Sequence, residues 1–180
     1  MIFVTLNEEM EKLLSSIKGA ETVSYECERI FNNVYGKLRI HTEKGSIEVT
    51  NFHQTRDILG AQEDASGFQC KKVKKGSCFK PLCGDAADTF RMRGLVTEIK
   101  IINDAISVND GAYEISFDQA IVIKTKDETV MFSRDAWFSE DITVSEHDDY
   151  ELLVPVSRVA ELWSFDGDNK VKITRTSRQL

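Results

Sequence analysis

Residues 37–52 read KLRIHTEKGSIEVTNF, and residues 119–138 read QAIVIKTKDETVMFSRDAWF. Each stretch is a period-two apolar run, a short polar turn and a second period-two run. In the first, Leu38 and Ile40 alternate before Glu43-Lys44-Gly45, and Ile47 and Val49 resume the pattern. In the second, Ile121 and Ile123 precede Lys126-Asp127-Glu128, followed by Val130 and Phe132. A side-chain period of two places these apolar residues on one face of an antiparallel hairpin. The two stretches align at a constant offset of 83 residues, with Leu38 on Ile121, Ile40 on Ile123, Thr42 on Thr125, Ile47 on Val130 and Val49 on Phe132. The offset suggests an internal duplication, although alternation alone generates much of the match.

Working outward, the N-terminal segment has the other period. Leu6, Met10, Leu13, Leu14 and Ile17 fall at helical spacing, which predicts a helix over residues 6–18. Thr5 and Glu8 read as its capping box and Gly19 as its stop. Downstream, residues 94–117 contain two or three strands, with Asn109-Asp110-Gly111 as a tight-turn signature. YELLVPVSRVAELWSF (150–165) reads as a strand into Val156 followed by a turn of helix capped by Ser157, and KVKITRT as a last strand. Little helical periodicity follows residue 20. The expected fold is therefore α+β and β-rich, with antiparallel sheet in a sandwich or partly open barrel and an N-terminal helix against it. Residues 1–180 form a single compact domain in this reading, and the repeat divides it into two similar β units at about 20–90 and 91–180.

Composition narrows the class. Forty-one per cent of the 180 residues are hydrophobic, including ten Phe, four Tyr and two Trp, which is enough to build a core. The formal charge of −7 favours solubility and argues against a general nucleic-acid coat. No apolar run reaches membrane length, and the acids following MIFVTL are in the wrong order for a secretory signal. A soluble, cytoplasmic protein with reduced thiols is expected.

The densest chemistry lies in CKKVKKGSCFKPLC (70–83). Its spacing, C-x7-C-x4-C, lacks the tight pair of a structural zinc site, and its lysines repel a cation. No metal and no cofactor is expected. Seven basic residues (Lys71, Lys72, Lys74, Lys75, Lys80, Arg91 and Arg93) face only Asp85 and Asp88 between positions 70 and 93, giving about +5 there and leaving about −12 elsewhere. With Phe79 and Phe90 interleaved, this patch is the basis of a nucleic-acid-binding alternative, which the overall charge does not favour. A cleft near His53 and Cys78 is the basis of an enzymatic or small-ligand alternative, but no nucleophile–base set is legible, and His41 is expected to face solvent.

The acidic stretch from Glu140 to Glu151 is flanked by Trp137, Phe138 and Tyr150. Aromatic anchors beside carboxylates suit a basic protein partner, because aromatics supply buried contact and charge supplies steering. The expected function is thus a non-enzymatic protein-binding domain. Its anchors are Trp137, Phe138 and Tyr150, and Glu146, Asp148 and Asp149 steer. No membrane partner is expected, and the sequence assigns no oligomeric state.

Overall fold

The computed structural model describes residues 1–31, 34–74, 76–82, 87–134, 136–165 and 167–180. Its elements in chain order are β1 (Ile2–Val4), α1 (Glu8–Ser15), β2 (Thr22–Phe31), β3 (Val34–Thr42), β4 (Gly45–Ile58), β5 (Ala61–Val73) and β6 (Ala87–Arg91), then β7 (Val96–Val108), β8 (Tyr113–Thr125), β9 (Thr129–Arg134), β10 (Ile142–Ser145), α2 (Tyr150–Leu153), α3 (Val156–Ser164) and β11 (Val171–Gln179). The fold is α+β and β-rich. The strands among the described residues join one 11-stranded sheet, antiparallel except where β1 pairs with β8, and it is not a closed barrel.

The sheet forks twice. One edge of β3 is shared between β4 and β10, and one edge of β8 between β1 and β9. Both predicted hairpins form, and with one cross-strand register. Leu38 faces Val49 and Ile40 faces Ile47 in the first, while Ile121 faces Phe132 and Ile123 faces Val130 in the second. All eight residues enter the same buried core.

The two halves are stitched at the start of β2 and β7. Glu21 bridges Leu95, Gly19 N donates to Val96 O at 2.9 Å, and Gly94 O accepts from Thr22 N at 3.2 Å and Thr22 Oγ1 at 2.9 Å. Gly94 has φ +91, and a Cβ there would lie 2.5 Å from Asp127 Oδ2. Gly94→Ala is therefore expected to cost about 2 kcal/mol, from left-handed strain and the contact together. Urea denaturation would show a lower midpoint at an unchanged slope.

Two local expectations are corrected. The helix α1 starts later than residue 6, with Asn7 as its N-cap: Asn7 Oδ1 accepts from Met10 N at 2.9 Å. The reason is tertiary, since Leu6 N is already committed to Asp118 Oδ2 at 2.8 Å, which holds residue 6 outside the helix. The stripe itself is as expected: Leu6, Leu14 and Ile17 are buried in the main core, with Met10 and Leu13 against it. Residues 150–165 hold the helix α2 in place of the expected strand, and the expected turn of helix is part of the longer α3. Pro155 cannot continue α2 because it lacks an N–H, and α3 begins directly after it. Glu151 Oε1, not Ser157, accepts from the first amide of α3, Val156 N, at 2.9 Å.

Candidate functional site

The long β4–β5 hairpin closes through Leu59 and Gly60, at φ 54 and 87. Two consecutive left-handed residues make a two-residue turn of the mirror-image kind, whose first position normally takes Asn, Asp or Gly. Leucine there costs roughly 1–2 kcal/mol of backbone strain. The helix α3 ends in the same way, with Phe165 at φ 50 where Gly or Asn is usual. Among the described residues only four non-glycine positions have positive φ: Leu59, Asn109, Asp110 and Phe165. Three of them line one cleft.

That cleft, of about 620 Å³, is walled by Ile58, Leu59, Trp137 and Phe165, with Glu63, Asn109 and Asn169 among its polar members. Leu59 and Phe165 remain 38% and 45% exposed although both are large hydrophobes. Trp137 is half-buried, its ring 5.5 Å from that of Trp163 and 5.4 Å from that of Phe138. Trp163 is buried and packs behind the two wall aromatics Trp137 and Phe165, its ring within 6.4 Å of those of Tyr113, Phe117 and Phe165 as well. The turns are pinned together by polar contacts: Asn109 Nδ2 donates to Asn169 Oδ1 at 2.8 Å, and Tyr113 Oη to Asp57 O at 3.0 Å.

The segment carrying Trp137 and Phe138 is clamped onto β4 and β5. Ser66 N donates to Trp137 O at 2.8 Å, Asn51 Nδ2 to Asp141 O at 2.8 Å, and His53 Nε2 lies 2.7 Å from Phe138 O. A carbonyl only accepts, so Nε2 carries the proton, and His53 acts here as a structural donor. Cys78 is elsewhere. Its carbonyl meets Arg39, whose cross-strand partner Glu48 lies five residues before His53 on β4.

The six acidic and aromatic residues singled out from the sequence occupy three places. Trp137 and Phe138 belong to the aromatic cleft and its shoulder. Glu146 lines a separate polar cleft with Tyr25, Arg91 and Glu128. Asp148 pairs with Lys124 at 2.5 Å and Lys100 at 3.7 Å. The hydrogen bond from Lys124 holds its carboxyl below the usual range. Asp149 caps α2, and Tyr150 is buried under the Arg175 guanidinium, 4.6 Å from its ring centre. Leu59, Ile58 and Phe165 were not singled out from the sequence. The signal available was a large hydrophobe inside a turn, Ile58-Leu59-Gly60 and again Phe165 before Gly167.

The basic residues are likewise dispersed. Lys71 reaches Glu48 at 3.2 Å, Lys72 and Lys74 line a cleft with His41, Arg91 lines the Glu146 cleft, and Lys80 is exposed. Arg93 is exposed near Glu128, and Lys75, Cys83 and Asp85 lie outside the described residues. Phe79 packs over Lys37 and Arg39, and Phe90 stacks on Tyr25 at 5.1 Å, so both rings are already engaged. Cys27 and Cys70 are buried, and burial pushes the Cys70 thiol up to about 12. No cluster of three potential metal ligands occurs among the described residues, and no helix there is long and apolar enough to cross a membrane.

Beneath the lysine segment lies a buried ionic network. Glu48 accepts from Arg39 Nη2 at 2.6 Å and sits 3.6 Å from Lys37 Nζ. Burial raises its pKa, but the hydrogen bonds from Arg39 and Lys71 and the Lys37 charge together hold it below its ordinary value of 4.5. A depressed carboxylate contributes stability that is complete above the unfolded value and lost as pH falls through the folded one. Unfolding midpoints are therefore expected to be flat above pH 4.5 from this group and to decline below it. Glu48→Gln should flatten that acid limb in a denaturation series.

No protein-family model, curated protein or solved structure matches the chain.

Proposed function

We propose that the chain is a protein-binding domain whose aromatic cleft receives an apolar side chain from a basic segment of its partner. The observation that carries this reading is the placement of Leu59 and Phe165. Both are large hydrophobes left exposed, in a backbone conformation that disfavours them, on the rim of one aromatic-walled cleft. Strain of this kind persists where a function other than stability selects the residue. Glu63 lines the cleft, Asp57 and Asp64 stand exposed on the same hairpin, and Glu140 lies exposed beside Phe138. Together with a net charge of −7 they favour a cationic approach.

The reading separates stability from binding. Leu59→Asn places the preferred residue in the turn, so it is expected to raise stability by about 0.5–1 kcal/mol. The same change should weaken partner binding at least tenfold by removing one wall of the cleft. The test is a displayed library of peptides with Leu or Phe flanked by Lys and Arg, selected against the wild type, Leu59→Asn and Trp137→Ala. Enrichment on the wild type alone supports the proposal. Equal enrichment on all three, or none on the wild type, removes it.

A further inference from the structure

The strand register brings three residues from consecutive strands onto one face of β2, β3 and β4. His41 is directly opposite Ser46 across the β3–β4 pair, and Glu26, opposite Arg39 on β2, lies one diagonal step from His41. His41 Nδ1 is 2.8 Å from Ser46 Oγ, and His41 Nε2 is 3.0 Å from Glu26 Oε2. Contrary to the sequence expectation, His41 is half-buried, hydrogen-bonded at Nδ1 and close to a carboxylate at Nε2.

The direction of this chain follows from the donor inventory. The Glu26 carboxylate, 3.0 Å from Nε2 without an aligned hydrogen bond, favours by its charge the tautomer with hydrogen on Nε2. Nδ1 then presents its lone pair, and the Ser46 hydroxyl is the donor to it. That is the arrangement a serine nucleophile needs: a base within hydrogen-bond reach, and a third group that orients the base. The ring nitrogens are used in the opposite sense from the familiar protease triad, which changes nothing in the proton bookkeeping. Glu26 Oε2 is buried and receives no aligned hydrogen bond, so its influence on His41 is that of a close charge. Arg39 Nη1, 3.9 Å from the same oxygen, keeps that carboxylate in a cationic surrounding.

Two of the three residues reach a cleft, and Glu26 lies behind them. Ser46 and His41 line a cleft of about 520 Å³ with Arg39, Lys72, Lys74 and Ser77. Lysines at the mouth favour a negatively charged substrate and the oxyanion that forms on attack. This cleft shares no lining residue with the aromatic one.

We infer that Ser46 is an activated nucleophile, with His41 as its general base and Glu26 as a positioning residue, and that it cleaves small esters carrying an anionic group. Ser46 Oγ bonds to the ester carbonyl carbon while its proton passes to His41 Nδ1. The bond from that carbon to the alcohol oxygen breaks, and the leaving oxygen takes the proton back from His41. Water then attacks the acyl-serine by the same route, releasing the acid and restoring Ser46. No redox partner is needed.

The probe is the 4-nitrophenyl monoester of succinate, with neutral 4-nitrophenyl acetate as comparison. The wild type should release a stoichiometric burst of nitrophenolate and gain one succinyl group on peptide 45–56, the tryptic fragment between Lys44 and Arg56. The succinate ester should react faster than the acetate, and Lys72→Ala with Lys74→Ala should remove that preference. Ser46→Ala should abolish acylation, and His41→Gln should slow it at least 100-fold. Glu26→Gln should lower the maximal acylation rate while leaving the half-saturating ester concentration unchanged, which a merely structural role would not produce. Circular dichroism and thermal midpoints establish that the variants are folded, and Ser24→Ala, on the same face, serves as a control with wild-type reactivity. Absence of an adduct on the folded wild type overturns the inference. An adduct on another residue, or a rate indifferent to His41→Gln, overturns it equally.

Discussion

Replacing Asp118 with alanine is expected to lower the unfolding free energy by about 3–5 kcal/mol. Its carboxylate is fully buried in β8 and accepts from four donors: Leu6 N at 2.8 Å, Asn103 Nδ2 at 2.9 Å, and Arg178 Nη1 and Nη2 at 2.8 and 2.7 Å. These donors come from the lead into α1, from β7 and from β11, so one side chain ties three separate parts of the chain to β8. Arg178 keeps a second partner in Glu11 at 2.7 Å, which limits its own loss. Leu6 N and Asn103 Nδ2 have no such substitute, and an unmade buried bond costs its full desolvation. Chemical denaturation followed by tryptophan fluorescence measures the loss. Asp118→Asn, which retains an acceptor and the shape, should lose less. A loss under about 1 kcal/mol for alanine would mean that water replaces the carboxylate at these donors.

Trp163→Ala is expected to cost a similar amount, about 3–5 kcal/mol, by emptying the centre of the aromatic cluster behind the cleft. Trp163 is 2% exposed and contacts the rings of Tyr113, Phe117, Trp137 and Phe165. Without it the wall residues Trp137 and Phe165 lose the ring they pack against, so peptide capture should disappear along with the stability. Trp137→Ala separates the two effects. Its ring is only half-buried, so truncation should cost about 1–2 kcal/mol while abolishing capture just as completely. If Trp137→Ala bound as well as the wild type while Trp163→Ala did not, the aromatic cluster would be a packing device alone.

Much of the local structure was legible. The two hairpins, the apolar stripe of α1 and the turn at Asn109-Asp110-Gly111 all rest on period and turn chemistry, which neighbours in sequence carry between them. The cross-strand partners were not legible, because a turn one residue longer shifts every pair. His41 opposite Ser46 follows from the two-residue turn at Glu43-Lys44, one residue shorter than the turn read from the sequence. Glu26 does not, since no local turn signal specifies the β2–β3 register, which carries several shifts along its length. The helical turn expected after Ser157 forms as part of α3, whereas α2 was missed because Pro155 divides a pattern too short for its period to register.

The candidate cleft is the least legible part. Leu59, Trp137 and Phe165 are separated by many tens of residues, and each read alone is an ordinary turn or loop residue. Period, turn chemistry and composition by themselves determined a β-rich chain with an N-terminal helix and two matching hairpins. Only the tertiary structure decided which turns meet at the aromatic cleft, which acids pair with lysines and which stay exposed. The physical reason is that those pairings are selected by the burial of whole sheet faces against one another, a free energy that no single segment contains.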